Sequence, residues 1–197
     1  MPRIPYFDPD TAPEHIVRAL AGKRKINVFR MVANAENCAP EVLALGHKLS
    51  RGSSLDPVHR EVVILRVAHL TGAAYQWHEH NAVAKRVGFT QDKIDAVAAH
   101  PIEAGQESGG PGSSGPEPSG SEFSEFERTL LGFTDAVVRT STAPDELFAA
   151  VAAEYDRSRL VELVLLIGFY MMVGRVMNTF ELELQTEAVD TYRLRLE

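Results

Sequence analysis

One glutamate and one histidine on neighbouring helices are the residues of this chain best placed to do chemistry. Both lie in the segment EVVILRVAHLTGAAYQWHEH, residues 61–80, as Glu61 and His80. On a helix over residues 57–70, the side chains three and four positions from Glu61 are mostly apolar, so its carboxyl group is predicted to be buried. On the next helix His80 falls in an apolar stripe, which predicts a buried imidazole as well.

A carboxyl and an imidazole withheld from water can exchange a proton near neutral pH, which favours a general acid/base role for this pair. The same pattern is equally typical of a hydrogen-bonded polar group in a protein core, and the sequence leaves both alternatives open. A metal site is not expected. On a helix the rings of His78 and His80 diverge by about 200° and cannot easily share an ion.

Length and charge narrow the class of protein. A chain of 197 residues fits one domain, residues 1–197. The formal net charge of −7 argues against a nucleic-acid partner. The N-terminus has no apolar signal core and the longest apolar run, residues 163–174, is too short to span a bilayer, so we expect a soluble, cytoplasmic protein without a membrane partner. The single cysteine, Cys38, excludes an intramolecular disulfide and is interpreted as a structural thiol.

Helical periodicity covers most of the chain, and no sustained strand alternation is present. The predicted helices are residues 14–20, 28–35, 40–49, 57–70, 73–87, 90–99, 123–139, 145–155 and 157–185. We therefore predict an all-helical fold with a core motif over residues 40–100 and a second helical half over 122–190. The Gly, Ser, Pro and Glu-rich segment 104–121 between them is predicted to be a mobile surface loop.

Two further patterns concern the second half. The segment that begins at Glu162 echoes the one that begins at Glu61, at an offset that aligns His80 with Glu181, which suggests duplicated helix pairs or a chance match. Residues 163–174 are apolar on every helical face. Such a helix is predicted to be central or to lie in a subunit interface.

The motif formed by Glu61, the Leu-Thr-Gly at 70–72, Tyr75-x-Trp77-x-x-His80 and Ala84-x-x-x-Gly88 resembles the carboxymuconolactone decarboxylase and alkyl hydroperoxidase D (AhpD)-like superfamily. The resemblance implies an AhpD-like all-helical bundle that assembles into a homo-oligomer, as a dimer, trimer or hexamer, with active sites near subunit contacts.

The hydroperoxidase branch of this superfamily uses a CxxC pair, whose positions hold Ala73 and Gln76 here. Without a thiolate no sulfenic acid or resolving disulfide can form, which disfavours peroxidase chemistry. The decarboxylase branch lacks the cysteines and uses no cofactor. That resemblance implies His80 as the proton donor and Glu61 as its partner.

The same resemblance asks for side chains that hold the substrate. Gln76, Tyr75 and Trp77 are candidates for orienting a planar molecule, and an arginine is wanted for a substrate carboxylate. Arg175 is our candidate for that position, with Arg66 as an alternative that a helical wheel places outward.

We therefore expect a cofactor-independent decarboxylase-like enzyme that acts on a small carboxylated or lactone metabolite. Two alternatives remain. One is a non-enzymatic oligomer that binds a small ligand in the same pocket, and the other is an antioxidant activity through Cys38.

Overall fold

The computed structural model describes residues 1–8, 10, 12–101 and 122–185. The described residues contain helices and no strand, which confirms the predicted all-helical fold. The helices are α1 Glu14–Leu20, α2 Asn27–Val32, α3 Ala39–Arg51, α4 Pro57–Leu70, α5 Ala74–Arg86, α6 Gln91–Ala99, α7 Glu125–Thr140, α8 Asp145–Glu154 and α9 Arg157–Thr179. The predicted loop 104–121 lies outside the described residues.

Helix α4 is the centre of the bundle and contacts α5, α6, α7 and α9. Every residue from Glu61 to Ala68 is buried. The start of α4 is fixed by Asp56, whose carboxylate accepts hydrogen bonds from the backbone N–H groups of Val58 (2.7 Å) and His59 (3.4 Å), while Pro57 supplies a preset first-turn φ. The cap fixes the residue at which α4 begins, and Glu61 then lies on a buried face of the helix.

A tight turn brings α5 back against α4. Gly72 has a φ of +61°, a left-handed conformation that strains any residue with a Cβ. The backbone N–H of Ala73 then bonds to the carbonyl of Ala68 at 2.8 Å, and α5 begins at the next residue. With so short a connection, the faces of α4 and α5 that carry Glu61 and His80 pack against each other.

Helix α9 is both a core helix and an exposed one. Its 23 residues are long and apolar enough to cross a membrane by length and composition, although its apolar run 163–174 alone is shorter than a span. Core helices meet the same criterion, and α9 contacts α4, α5 and α7 and buries Leu166, Ile167 and Tyr170. Its opposite face leaves apolar side chains exposed: Val161, Val164, Leu165 and Met172.

The echo between the two halves is not a repeated helix pair. Where the first segment forms α4, a turn and α5, the second forms the single continuous helix α9. Glu181, which the offset aligns with His80, lies beyond the end of α9 with a φ of +53°. The two five-residue segments are identical at three positions and both lie in helices that pack in the core, and the resemblance ends there.

Candidate active site

The Glu61 carboxylate and the His80 imidazole are hydrogen-bonded to each other. His80 Nδ1 lies 2.8 Å from Glu61 Oε2. The Glu61 side chain is 2% exposed and that of His80 is 15% exposed, so the carboxylate is sealed from solvent and the ring keeps limited access to it. This confirms the predicted pairing, although His80 is less buried than its helical pattern predicted. Because Nδ1 is taken by Glu61, Nε2 is the ring nitrogen available to a ligand.

Tyr170 of α9 completes the surroundings of this pair. Its ring meets the His80 ring edge-on, with centroids 5.0 Å apart and an interplanar angle of 87°. Burial, and then the nearby Glu61 carboxylate, raise the pKa of Tyr170 above its ordinary value. The phenol therefore stays protonated at physiological pH and retains a hydrogen to donate. The sequence offered no signal for this contact, since Tyr170 lies 90 residues from His80.

Gln76 and Tyr75, which the sequence analysis proposed as substrate-orienting residues, both form hydrogen bonds within the protein. Gln76 is fully buried and donates from Nε2 to the carbonyl of Ile64 at 3.2 Å, while its Oε1 has no hydrogen-bond partner among the described residues. Tyr75 donates its hydroxyl to Oε1 of Gln185 at 3.0 Å. Burial is also the main cause that raises the pKa of Tyr75. Both side chains line the cavity described next.

A cavity of about 760 Å³ opens beside the Glu61–His80 pair. Helices α2, α3, α5 and α9, together with the first turn of α4, contribute its walls, and its surface is mainly apolar. A volume of this size is within the range of sites that hold small organic ligands. Its lining includes Glu61, His80, Tyr75, Gln76 and Tyr170.

The structure places the other predicted substrate residues outside this cavity. Trp77 points to the opposite side of α5, where it packs on the apolar cluster that contains Val62, Leu65 and Phe89, with its ring 6.2 Å from that of His69. Arg175 is exposed on α9, and its Nη1 donates to the carbonyl of Met171 at 3.1 Å. Neither side chain lines the cavity. The sequence pattern alone did not indicate which face of α5 would pack against α9 and which against α6.

Arg66 corrects the sequence prediction most sharply. The wheel placed it outward, yet it is 0% exposed and forms a bidentate ion pair with Asp135 of α7, with both N–O distances 2.6 Å. Its third contact is Nη1 to the carbonyl of Val97 at 2.8 Å. Helices α6 and α7 cover the face of α4 that the wheel left open. Arg66 is therefore buried with its hydrogen bonds directed to protein groups, and it is not a substrate anchor.

Four arginines that line the cavity were not singled out by the sequence: Arg24, Arg51, Arg60 and Arg86. Arg24 is paired with Glu79 at 3.2 Å. Arg60 directly precedes Glu61, and its buried Nε has no hydrogen-bond partner among the described residues. Its position next to the predicted acid was the available signal. The direction in which its side chain points, however, depends on the packing of α9, which is distant in sequence.

The thiol of Cys38 lies away from this site. It is exposed at the residue before α3, makes no capping hydrogen bond and does not line the cavity. Within the described part of the chain, no cluster of three or more His, Cys, Asp or Glu side chains is arranged to hold a metal ion.

Comparison with known proteins finds a family match over one part of the chain. Residues 41–107 match the model of the Carboxymuconolactone decarboxylase family. This span contains α4, α5 and the Glu61–His80 pair. An uncharacterized protein of Bacillus subtilis (strain 168), YdfG, is 28% identical over 123 residues, which cover 61% of this chain and 72% of that protein.

Solved structures share the fold. An AhpD-core, peroxidase-related protein of Ralstonia eutropha JMP134 superposes with a TM-score of 0.73 at 17% identity, covering 94% of this chain and 93% of that one. The debrominase Bmp8 superposes with a TM-score of 0.68 at 14% identity, covering 92% and 91% of the two chains. The family match over residues 41–107 and the shared fold both support the resemblance to the carboxymuconolactone decarboxylase and AhpD-like superfamily that the motif predicted.

Proposed function

We propose that this protein is a cofactor-independent acid/base enzyme that removes CO₂ from a carboxylated metabolite, with His80 as the proton donor and Glu61 as its partner. The observation that carries the proposal is the 2.8 Å contact between His80 Nδ1 and Glu61 Oε2 at the wall of a cavity large enough for a small organic ligand. A carboxylate on Nδ1 fixes the imidazole orientation and stabilises the imidazolium, which is the arrangement that presents Nε2 for proton transfer.

The proposed reaction transfers one proton and breaks one carbon–carbon bond. The bond between the substrate carboxylate and the neighbouring carbon breaks, CO₂ leaves, and the electron pair is delocalised into an adjacent carbonyl or lactone group. Protonated His80 then gives its Nε2 proton to that carbon and becomes neutral, and water restores the proton afterwards. The protonated phenol of Tyr170 is suited to hydrogen-bond the oxygen on which negative charge develops.

A second candidate is a binding protein that does no chemistry. The size and apolar surface of the cavity favour it as much as they favour an enzyme. In that case the Glu61–His80 hydrogen bond would only satisfy two buried polar groups. Peroxidase activity is disfavoured, because Ala73 and Gln76 stand where the dithiol would be and Cys38 is outside the cavity.

Two variants separate the enzyme from the binding protein. If His80 and Glu61 move protons, His80→Ala and Glu61→Gln should each lower turnover by about 100-fold or more while the protein remains folded. If the two residues are only core polar groups, each variant should instead lose about 1 to 3 kcal/mol of stability, because its partner is left without a hydrogen bond.

The measurements are CO₂ release from a panel of lactone and keto acids, and the melting temperature of the same preparations. His78→Ala is the matched control, since His78 is exposed on the same helix. Destabilised variants, together with no substrate whose loss of CO₂ depends on His80, would leave the binding protein as the function.

We also propose that the protein is a homo-oligomer. Val161, Val164, Leu165 and Met172 form one exposed stripe along α9, and large apolar patches on a protein surface commonly mark an interface. A second copy of this chain is the expected partner.

A further inference from the structure

The charge of the cavity is opposite to that of the chain. Five cationic side chains line it, against the two carboxylates of Glu61 and Glu79, although the chain carries a net charge of −7. Glu61 is engaged by His80 and Glu79 by Arg24. Clustering positive charge in one cleft of an acidic protein focuses the local potential and attracts anions.

Three of these five cations form no ion pair with another described residue. Within the described residues Arg51, Arg60 and Arg86 form no ion pair and no side-chain hydrogen bond, and burial lowers the pKa of Lys23. Without counting Lys23, the three guanidinium groups of Arg51, Arg60 and Arg86 line the cavity. Groups of this kind recognise carboxylates through paired N–H donors.

Arg60 is the guanidinium that the structure links to the proposed chemistry. It is the residue before Glu61, and its charge acts on Tyr170, where it opposes part of the rise in that phenol's pKa. Its Nε is buried without an acceptor, a state that costs free energy unless a ligand or a water supplies one. A bound carboxylate would supply that acceptor and would lie beside Tyr170, which contacts His80.

The rest of the cavity is apolar and too large for the carboxylate alone. Its walls are formed by side chains of α2, α3 and α9, which include Val28, Phe29, Leu43, Phe169 and Met177. Phe169 lies close against Gly46 of α3, where an added Cβ would be only 2.7 Å from its Cζ. A volume of about 760 Å³ exceeds what a compact lactone acid needs and suits a longer apolar body.

We propose that the cavity binds an amphipathic carboxylic acid, with the carboxylate on Arg60 next to His80 and an extended apolar body against the wall formed by α2, α3 and α9. The proposal rests on the proposed function in taking this cavity as the substrate site, and it names the substrate class. Affinity and turnover are measured separately, so each proposal can fail without the other.

Calorimetric titration of the purified protein with butanoate, hexanoate and octanoate tests the apolar part. Affinity should rise about fourfold for each added methylene that is buried. The neutral 1-octanol should bind at least tenfold more weakly than octanoate. Equal affinities for octanoate and octanol, or for octanoate and butanoate, would overturn the proposal without the need for any variant.

Substitutions test the anchor. Arg60→Gln should weaken octanoate about tenfold and leave octanol unchanged, whereas Arg157→Gln, at an exposed arginine that does not line the cavity, should change neither. A loss of affinity that is equal for octanoate and octanol would assign Arg60 a structural role and contradict the proposal. Release of CO₂ by the wild type is measured on the panel of lactone and keto acids. If octanoate binds as predicted and the wild type releases CO₂ from none of these acids, the binding proposal stands and the enzymatic one fails.

Discussion

Arg66 and Asp135 show how a charged residue can be structural when its sequence position makes it a candidate ligand. The guanidinium is fully buried, and its three hydrogen bonds, at 2.6 to 2.8 Å, are all to protein groups. A buried ion pair contributes little net stability, but its disruption is costly because one charge remains in a site without solvent. Asp135→Ala strands such a charge.

We predict that Asp135→Ala lowers the free energy of unfolding by about 3 to 5 kcal/mol. The double variant Arg66→Met with Asp135→Leu removes both charges and should recover most of that loss. Chemical denaturation of the two variants and the wild type is the measurement. A single variant as stable as the wild type would mean that Arg66 is not committed to Asp135, and would restore it as a candidate substrate anchor.

The pairing of Glu61 with His80 could be predicted from sequence because it depends on two adjacent helices. The three residues 71–73 between α4 and α5 allow little freedom, so the inward faces of the two helices must meet. Arg60 and Tyr170 could not be placed in the same way. Their positions at the cavity depend on the packing of α9 against α4 and α3, which is a tertiary property with no local signature.

Glu162 links the loop before α4 to the first turns of α9 through hydrogen bonds. Its carboxylate accepts hydrogen bonds from Ser53 Oγ at 2.7 Å and from the backbone N–H and Oγ of Ser54 at 2.8 and 3.1 Å. The hydrogen bond from Ser53 is the largest cause that holds the pKa of Glu162 below its ordinary value, against a smaller opposing effect of burial. The same loop leads into Asp56, the cap of α4.

Because the pKa of Glu162 is lowered in the folded state, its contribution to stability is present above its unfolded pKa and is lost as the pH falls through the folded one. We predict that Glu162→Gln costs about 1 kcal/mol, a typical value for lost hydrogen bonds, at pH 6 to 8. The difference from wild type should shrink below the ordinary pKa of 4.5 and vanish once the wild-type carboxyl is protonated.

Urea unfolding of both proteins at a series of pH values measures this difference. Glu154→Gln, on the exposed side of α8, is the control and should show no such pH dependence. A difference between wild type and Glu162→Gln that stays the same down to pH 3 would show that the loop is held by something other than the ionised carboxylate.

The helix boundaries were mostly predictable because caps and breaks are local. Asp56 and Thr90 both accept backbone hydrogen bonds as the N-caps of α4 and α6. The last helix was the exception. Its apolar pattern predicted continuation to about residue 185, but α9 ends at Thr179 and the chain then turns to contact α2, where Asn27 bonds to Glu183 and Gln185. Those contacts are with the N-terminal part of the chain, and no local pattern encodes them.

The apolar residues of α9 belong to two different surfaces of the molecule, one packed in the core and one exposed. One face packs against α4, α5 and α7, while Val161, Val164, Leu165 and Met172 stay 41 to 60% exposed. The sequence predicted either a central helix or an interface helix, and one side of α9 meets the first description. The exposed stripe is the surface on which we place the contact between copies of this chain.

We predict that Leu165→Glu together with Val164→Lys dissociates the oligomer into folded monomers, because charges placed at the middle of an apolar interface must be buried without partners. Light scattering at micromolar concentration measures the mass, and circular dichroism checks that the helical content is unchanged. Glu146→Lys, an exposed change on α8, is the control and should leave the mass as in wild type. A wild-type protein that is already a monodisperse monomer would refute the prediction. A double variant that keeps its full oligomeric mass would place the contact on another surface, and the apolar stripe of α9 would then need a different occupant.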